Sequence, residues 1–297
     1  MLVALGILLV QGPVQMPVEP FVEVGVWYGG PGARPPATAT GDVNALRLDV
    51  EAVRRAGFNT VVTWVRWSEA EPKKGIYALA ATERLIAAIA LADLKVVVVV
   101  YPDRPDWAAG SGVAPFLEYA SRRLSINPAV LRVVAETPEL ADTRIEVGAS
   151  APAARLAMWA AVASGAQTLS FISSDGALGR LLPLGETVGV ITRNPALFAP
   201  LKPRTGGVVS VSSTGGGAPV DVKLLESTDA IMIIGLNHAP GPRTATITFE
   251  PEIPEAIWQN LETGTSVNFV MGRSGPVLEH TFAPRDALVL MIRKRLR

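Results

Sequence analysis

Asn59-Thr-Val-Val-Thr-Trp-Val-Arg66, followed at once by Trp67-Ser-Glu-Ala-Glu-Pro-Lys-Lys-Gly-Ile-Tyr77, is the stretch on which the fold turns. The first part is β-branched and aromatic, as a buried strand requires, and the second carries the Pro, Gly and charge of a loop. Downstream, Ala80 to Ala92 has the apolar spacing of a helix, and Lys95-Val-Val-Val-Val-Val-Tyr101 reads as a strand buried on both faces. Upstream, Phe21-Val-Glu-Val-Gly-Val-Trp-Tyr28 is a further strand, bounded by Pro20 and the loop residues Gly29-Gly-Pro-Gly32. Gly41-Asp-Val-Asn44 offers caps for a helix through Ala56, with Leu46, Val50 and Val53 on one face and Gly57 as its stop. Strands and helices alternating at this spacing predict a parallel α/β sheet. The helix-to-strand turns (Gly57-Phe-Asn59 and Asp93-Leu94) are short, whereas the strand-to-helix loops are long and chemically rich. That asymmetry belongs to a (β/α) barrel, whose active site is built from the second kind of loop.

Farther along, the rhythm weakens. Val113 to Ala135 reads as partly helical, interrupted at Asn127-Pro128. Thr143-Arg-Ile-Glu-Val-Gly148 is a short strand, Ala151 to Ser164 a helix, and Gln167-Thr-Leu-Ser-Phe-Ile172 a short buried strand. Leu181 to Leu201 is helical with a break near Asn194-Pro195. Pro203 to Pro219, with its paired and tripled glycines, reads as a linker. Beyond it come short alternating strands: Val220–Glu226, Ile231–Asn237, Thr244–Phe249, Ala256–Gln259, Ser266–Phe269, Val277–Phe282 and Ala287–Ile292. The expected fold is therefore α/β: a partial or truncated TIM-type (β/α) barrel over residues 21–204, then a C-terminal antiparallel β-sandwich over 220–297. A full barrel takes about 250 residues and eight strand–helix units, and roughly five units are legible here. Such an open barrel must hide two strand edges. Its segment from Ala114 to Thr137 or a second copy of the chain would cover them, so a homo-oligomer is one expectation.

Composition narrows the function. Of 297 residues, 49% are hydrophobic and 18% charged, with formal net charge zero, so a packed core is expected rather than disorder. The basic residues cluster only in the tail Arg293-Lys-Arg-Leu-Arg297, which reads as a solvated terminus and leaves nucleic acid without a footprint. With no cysteine, disulfides, thiolate zinc sites and cysteine nucleophiles are excluded. The two histidines, His238 and His280, both fall in the β-rich end, which excludes a histidine triad or multi-histidine metal centre in the barrel. No phosphate loop, nucleophile elbow or metal motif occurs, and no cofactor is expected. Leu2-Val-Ala-Leu-Gly-Ile-Leu-Leu-Val10 is too short to span a bilayer but has the length of a signal-peptide core. Residues 1–20 thus read as a signal segment with an atypical start, giving a secreted or periplasmic protein; a cytoplasmic N-terminal strand or helix is the alternative.

The pattern Trp-Ser-x-x-Glu-Pro-x-x-Gly-x-Tyr at Trp67–Tyr77 resembles the loop after the second barrel strand of family-42 and family-35 glycoside hydrolases, the β-galactosidases and their kin. The likeness extends through Gly25-Val-Trp-Tyr28, Arg55-Ala-Gly-Phe-Asn59 and Pro102-Asp-Arg-Pro-Asp-Trp107. Ile145-Glu-Val-Gly-Ala149 with Arg155-Leu-Ala-Met-Trp159 is similar to the seventh strand and its helix. Asn260-Leu-Glu-Thr-Gly264 and Ala283-Pro-Arg-Asp-Ala-Leu-Val-Leu290 are similar to the terminal β-domains. The resemblance implies a carbohydrate substrate, no cofactor, and two carboxylates about 5–5.5 Å apart, one donating a proton and one attacking the anomeric carbon. It places the nucleophile at Glu146, on the seventh strand. The proton donor should follow an Asn at the end of strand four, but no Asn-Glu dipeptide exists, and the stretch between Trp107 and Arg144 is too short for strands four, five and six.

Other candidates each have two readings. Trp67 and Trp107 could stack on a sugar face, and Trp64 could do so or pack in the core. Arg66 could bind a substrate hydroxyl or pair with Glu146; Glu71 could accept hydroxyl hydrogen bonds or brace its loop. Asp103 and Asp106 could stand in as proton donor or serve turns beside proline. A retaining glycosidase and a catalytically inactive carbohydrate- or partner-binding remnant are both open at this point.

Overall fold

A computed structural model describes residues 20–28, 43–137, 144–148, 150–173, 178–215, 219–254 and 257–294. The signal-like segment up to residue 19, the Gly29–Gly32 loop, the first caps of the first helix and Ala149 lie outside the described residues.

Six parallel strands form the first sheet: β1 (Glu23–Trp27), β2 (Thr60–Arg66), β3 (Lys95–Tyr101), β4 (Val130–Ala135), β5 (Arg144–Val147) and β6 (Thr168–Ser173), in the order β4-β3-β2-β1-β6-β5. Helices α1 (Val43–Arg55), α2 (Trp67–Ala70), α3 (Ala80–Leu91), α4 (Ala114–Leu124) and α5 (Ala151–Ala163) accompany them, followed by α6 (Gly185–Thr192) and α7 (Pro195–Phe198). The valine run of β3 shows why such a sequence becomes a central strand. Val96, Val98 and Val100 enter the large core under the helices, while Val97 and Val99 join Trp27 and Val62 in a separate cluster on the other face. Alternation buries every valine.

The sharp turn from α1 into β2 has a specific cause. Gly57 sits at φ +84°, where a Cβ would meet the Gly185 carbonyl oxygen at 3.2 Å. Two residues on, Asn59 accepts the Val24 N–H at 2.9 Å and donates to the Val22 carbonyl at 2.7 Å, stitching the turn to β1. Leu46, Val50 and Val53 are the buried face of α1, as their spacing predicts.

The sheet is curled. Neighbouring strands lie about 4.8 Å apart, so β4 and β5, five steps apart in a flat sheet, would stand about 24 Å from each other. Yet Arg144 of β5 hydrogen-bonds Glu136, which directly follows β4. In the same way Arg132 of β4 reaches Glu23 of β1, three strands away, at 2.9 Å. Only a barrel-like curvature brings these pairs together.

Two expectations need correction. Val113 to Ala135 is not simply helical: α4 stops at Leu124, Asn127 accepts the Ala129 N–H at 2.9 Å, and the chain enters β4, which pairs with β3 in parallel. Strand four is therefore present, and among the described residues the parallel strands number six rather than five. The proposed linker also contains strands among its described residues. Lys202–Pro203 forms β7, and Val208–Ser213 forms β8, which pairs antiparallel with β11 (Arg243–Phe249).

The β-rich end is two antiparallel sheets: β13 (Ser266–Asn268), β12 (Ile257–Asn260), β16 (Asp286–Arg293), β10 (Ala230–Asn237), β9 (Asp221–Glu226) and β7 in one, and β14 (Val270–Gly272), β15 (Gly275–Phe282), β11 and β8 in the other. Ile233, Leu290, Phe249, Trp258 and Phe282 fill the space between them. The opposite face of β10 and β16, with Met232, Ile234, Leu236 and Val289, packs into the barrel's helix-side core. Arg155 of α5 fastens that junction, donating to Glu262 at 2.8 Å, to Asp286 at 2.7 Å and to the Ala287 carbonyl at 2.6 Å.

Candidate active site

Alternation along the strands sorts the candidate residues onto two faces. Ile145 and Val147 of β5 belong to the helix-side core, so Arg144 and Glu146 project to the inner face. The Arg144 guanidinium lies 4.3 Å from the Trp27 ring centroid and 4.9 Å from that of Trp64, and the two indoles are 4.4 Å apart. Glu146 stands two residues farther along β5, next to Ile172 of β6 in register, and is exposed at the C-terminal end of the strand. Among the described residues its carboxylate has no ion-pair partner. Glu136, at the corresponding end of β4, accepts a hydrogen bond from Arg144, and both side chains are 14% exposed. Two carboxylates thus stand at C-terminal strand ends, where barrel enzymes place their chemistry.

Sequence reasoning missed Glu136. Its signal was positional: a Glu directly after the fourth strand, visible only once Val130–Ala135 is seen as that strand. The residue before it is Ala135, not Asn.

The Trp67–Tyr77 stretch lies on the other side of the wall. Trp67 is buried in the helix-side core, packed at 6.2 Å on Trp107 and 6.4 Å on Phe116, so it has no face to offer a sugar. Its indole N–H donates to Glu71 at 2.9 Å, and the other Glu71 oxygen accepts the Gly75 N–H at 2.9 Å. Trp107 donates to the Glu71 carbonyl at 2.8 Å. Glu71 is buried, and its carboxylate braces the loop, leaving no oxygen for a substrate hydroxyl.

Arg66 is paired with Asp103 at 3.0 Å, with Glu69 at 3.8 Å as a second neighbour; it does not meet Glu146. Asp103 also accepts from the Ser68 hydroxyl and backbone, so both its oxygens are engaged. A carboxylate held this way is a loop clasp rather than a spare proton donor. Asp106 opens a one-turn 3₁₀ helix, Asp106–Ala108, and faces solvent. Of the expected site residues, then, Glu146 lies on the inner face with no ion-pair partner among the described residues, and Trp27, Trp64, Arg144 and Glu136 lie on that same face. Among the described residues no group of three or more Asp, Glu, His or Cys is placed to hold a metal, and no helix is long and apolar enough to cross a membrane.

No protein-family model and no curated protein sequence matches the chain. Solved structures do. A catalytic mutant of Gan42B, a GH42 beta-galactosidase from G. stearothermophilus, superposes with a TM-score of 0.60 at 8% identity, over 92% of this chain and 98% of that one. The noncanonic maltogenic alpha-amylase AmyB from Thermotoga neapolitana gives 0.57 at 10% identity, over 91% of this chain and 99% of that one. The chain shares the fold of these two structures. At such identities the likeness carries the architecture alone: a barrel-like parallel sheet followed by a β-rich region, as the strand order independently shows.

Proposed function

We propose that the protein hydrolyses β-galactosides or related glycosides by the two-carboxylate retaining mechanism, with Glu146 as nucleophile and Glu136 as proton donor. The observation that carries this reading is the placement of both carboxylates at C-terminal strand ends on one inner face, over an indole floor. In the first step Glu146 attacks the anomeric carbon while Glu136 passes its proton to the departing glycosidic oxygen. In the second, Glu136 takes a proton from water, and that water displaces the Glu146 carboxylate from the sugar. No cofactor enters either step. Trp67 and Glu71, turned to the helix side of the wall, brace the loop without touching substrate.

A catalytically inactive carbohydrate-binding remnant is the second reading, and one contact favours it. Arg144 already engages Glu136, putting a cation where a proton donor needs its proton. An assay of the purified protein on a chromogenic β-galactoside separates the two. Turnover in the wild type, reduced about 10²-fold or more by either Glu146→Gln or Glu136→Gln, is the expected result. Turnover indifferent to both substitutions refutes the assignment. Sugar-dependent quenching of tryptophan fluorescence with no turnover supports the remnant.

A further inference from the structure

β4 and β5 are the two outer strands of the parallel sheet, and among the described residues no ladder of backbone hydrogen bonds joins them. Among the described residues, the side chain that reaches from one of these edges to the other is Arg144. Arg144 originates on β5, two residues before Glu146 and on the same face, and its guanidinium bonds the carboxylate that follows β4. The guanidinium is itself clamped, with Trp27 of β1 at 4.3 Å and Trp64 of β2 at 4.9 Å. Aromatic faces restrict a planar cation in a way they would not restrict a lysine ammonium. In a closed barrel, neighbouring strands hold opposing catalytic groups at fixed separation; here a clamped side chain ties the two edges.

We propose that Arg144 is a positioning residue that holds Glu136 in register with Glu146 across the unpaired β4 and β5 edges. This rests on the two-carboxylate reading above. Its consequence is specific to proton donation. A glycoside with an acidic leaving group, such as a dinitrophenol, departs with little help from a proton donor, whereas an alkyl or sugar leaving group needs one. Misplacing Glu136 therefore penalises the second kind of substrate and largely spares the first.

The test compares kcat/KM for a dinitrophenyl and an alkyl glycoside of the same sugar in wild type, Arg144→Met, Arg144→Lys and Glu136→Gln. Arg144→Met is expected to lower the alkyl substrate's value by about 10²-fold, the scale of a misplacement near 1 Å, while changing the dinitrophenyl value far less. Arg144→Lys, which keeps the charge but loses the stacked plane, falls between. Adding Arg144→Met to Glu136→Gln should change the ratio of the two substrates no further, because the arginine acts through Glu136. That comparison stays readable if Arg144→Met is poorly stable, since the double variant also removes the unpaired charge. Equal losses on both substrates would reduce Arg144 to a structural strut and overturn the inference, as would a full additional change in the Glu136→Gln background. A wild type that turns over neither substrate would instead bring down the catalytic reading, and the positioning role with it.

Discussion

Glu71 illustrates how a residue in a glycosidase-like motif can serve its own loop. One oxygen receives the Trp67 indole N–H and the other the Gly75 amide, and both bonds are internal to the stretch between Trp67 and Tyr77. Glu71→Ala leaves a buried indole N–H with no acceptor, which costs about 1–3 kcal/mol. Urea denaturation should show that loss while kcat/KM on a chromogenic glycoside stays near wild type, because no Glu71 oxygen faces the inner side. A fall in kcat/KM without loss of stability would place Glu71 at the substrate. The motif was legible in the sequence as the loop after strand two; which side of the wall its tryptophan faces was not. Trp67 directly follows β2, and α2 turns it toward Phe116 rather than toward the inner face. Glu136 was hidden for another reason. Its place depends on β4 being a strand, and the residue before it is Ala135 rather than the Asn that the resemblance leads one to expect.

At the scale of elements, strands with strong two-sided or alternating patterns could be read from sequence, and the edge strands β4 and β8 could not. The valines of β3 and the fully buried β10 are central strands with neighbours on both sides. β4 and β8 are edge strands, partly exposed along most of their length; an arginine interrupts the first and serines the second. Edge positions tolerate such residues because half their surface meets water. In the second sheet of the sandwich, β15 carries a titratable group in an apolar setting. His280 packs edge-on against Phe282 at 4.7 Å, and burial pushes its pKa below the usual 6.5, with nearby Asp286 pulling the other way. A depressed folded-state pKa means the unfolded chain binds the proton more readily. Stability linked to His280 is therefore fully present above the unfolded value and lost as pH falls through the folded one. Thermal melts between about pH 7 and pH 5 should show a smaller decline in Tm for His280→Gln than for wild type. An unchanged slope would mean that His280 is solvated in both states.

The whole molecule is a six-stranded, barrel-like sheet whose curvature is held from within by charges. Glu23–Arg132 ties β1 to β4, and Glu136–Arg144 ties the two outer strands. Outside, helices bury the other face of the sheet, and the sandwich packs against the same core through β10, β16 and the Arg155 cluster. This organisation leaves the C-terminal ends of β4 and β5 as the place where Glu136 and Glu146 share one face. In the proposed mechanism Glu146 forms a covalent bond to sugar there. Incubation with a 2-deoxy-2-fluoro glycosyl fluoride, followed by peptide mass spectrometry, reads that bond directly. The account predicts a single glycosyl adduct on the peptide containing Glu146, absent in Glu146→Gln. Turnover of the chromogenic substrate with the label on another carboxylate, or persisting in Glu146→Gln, would contradict it.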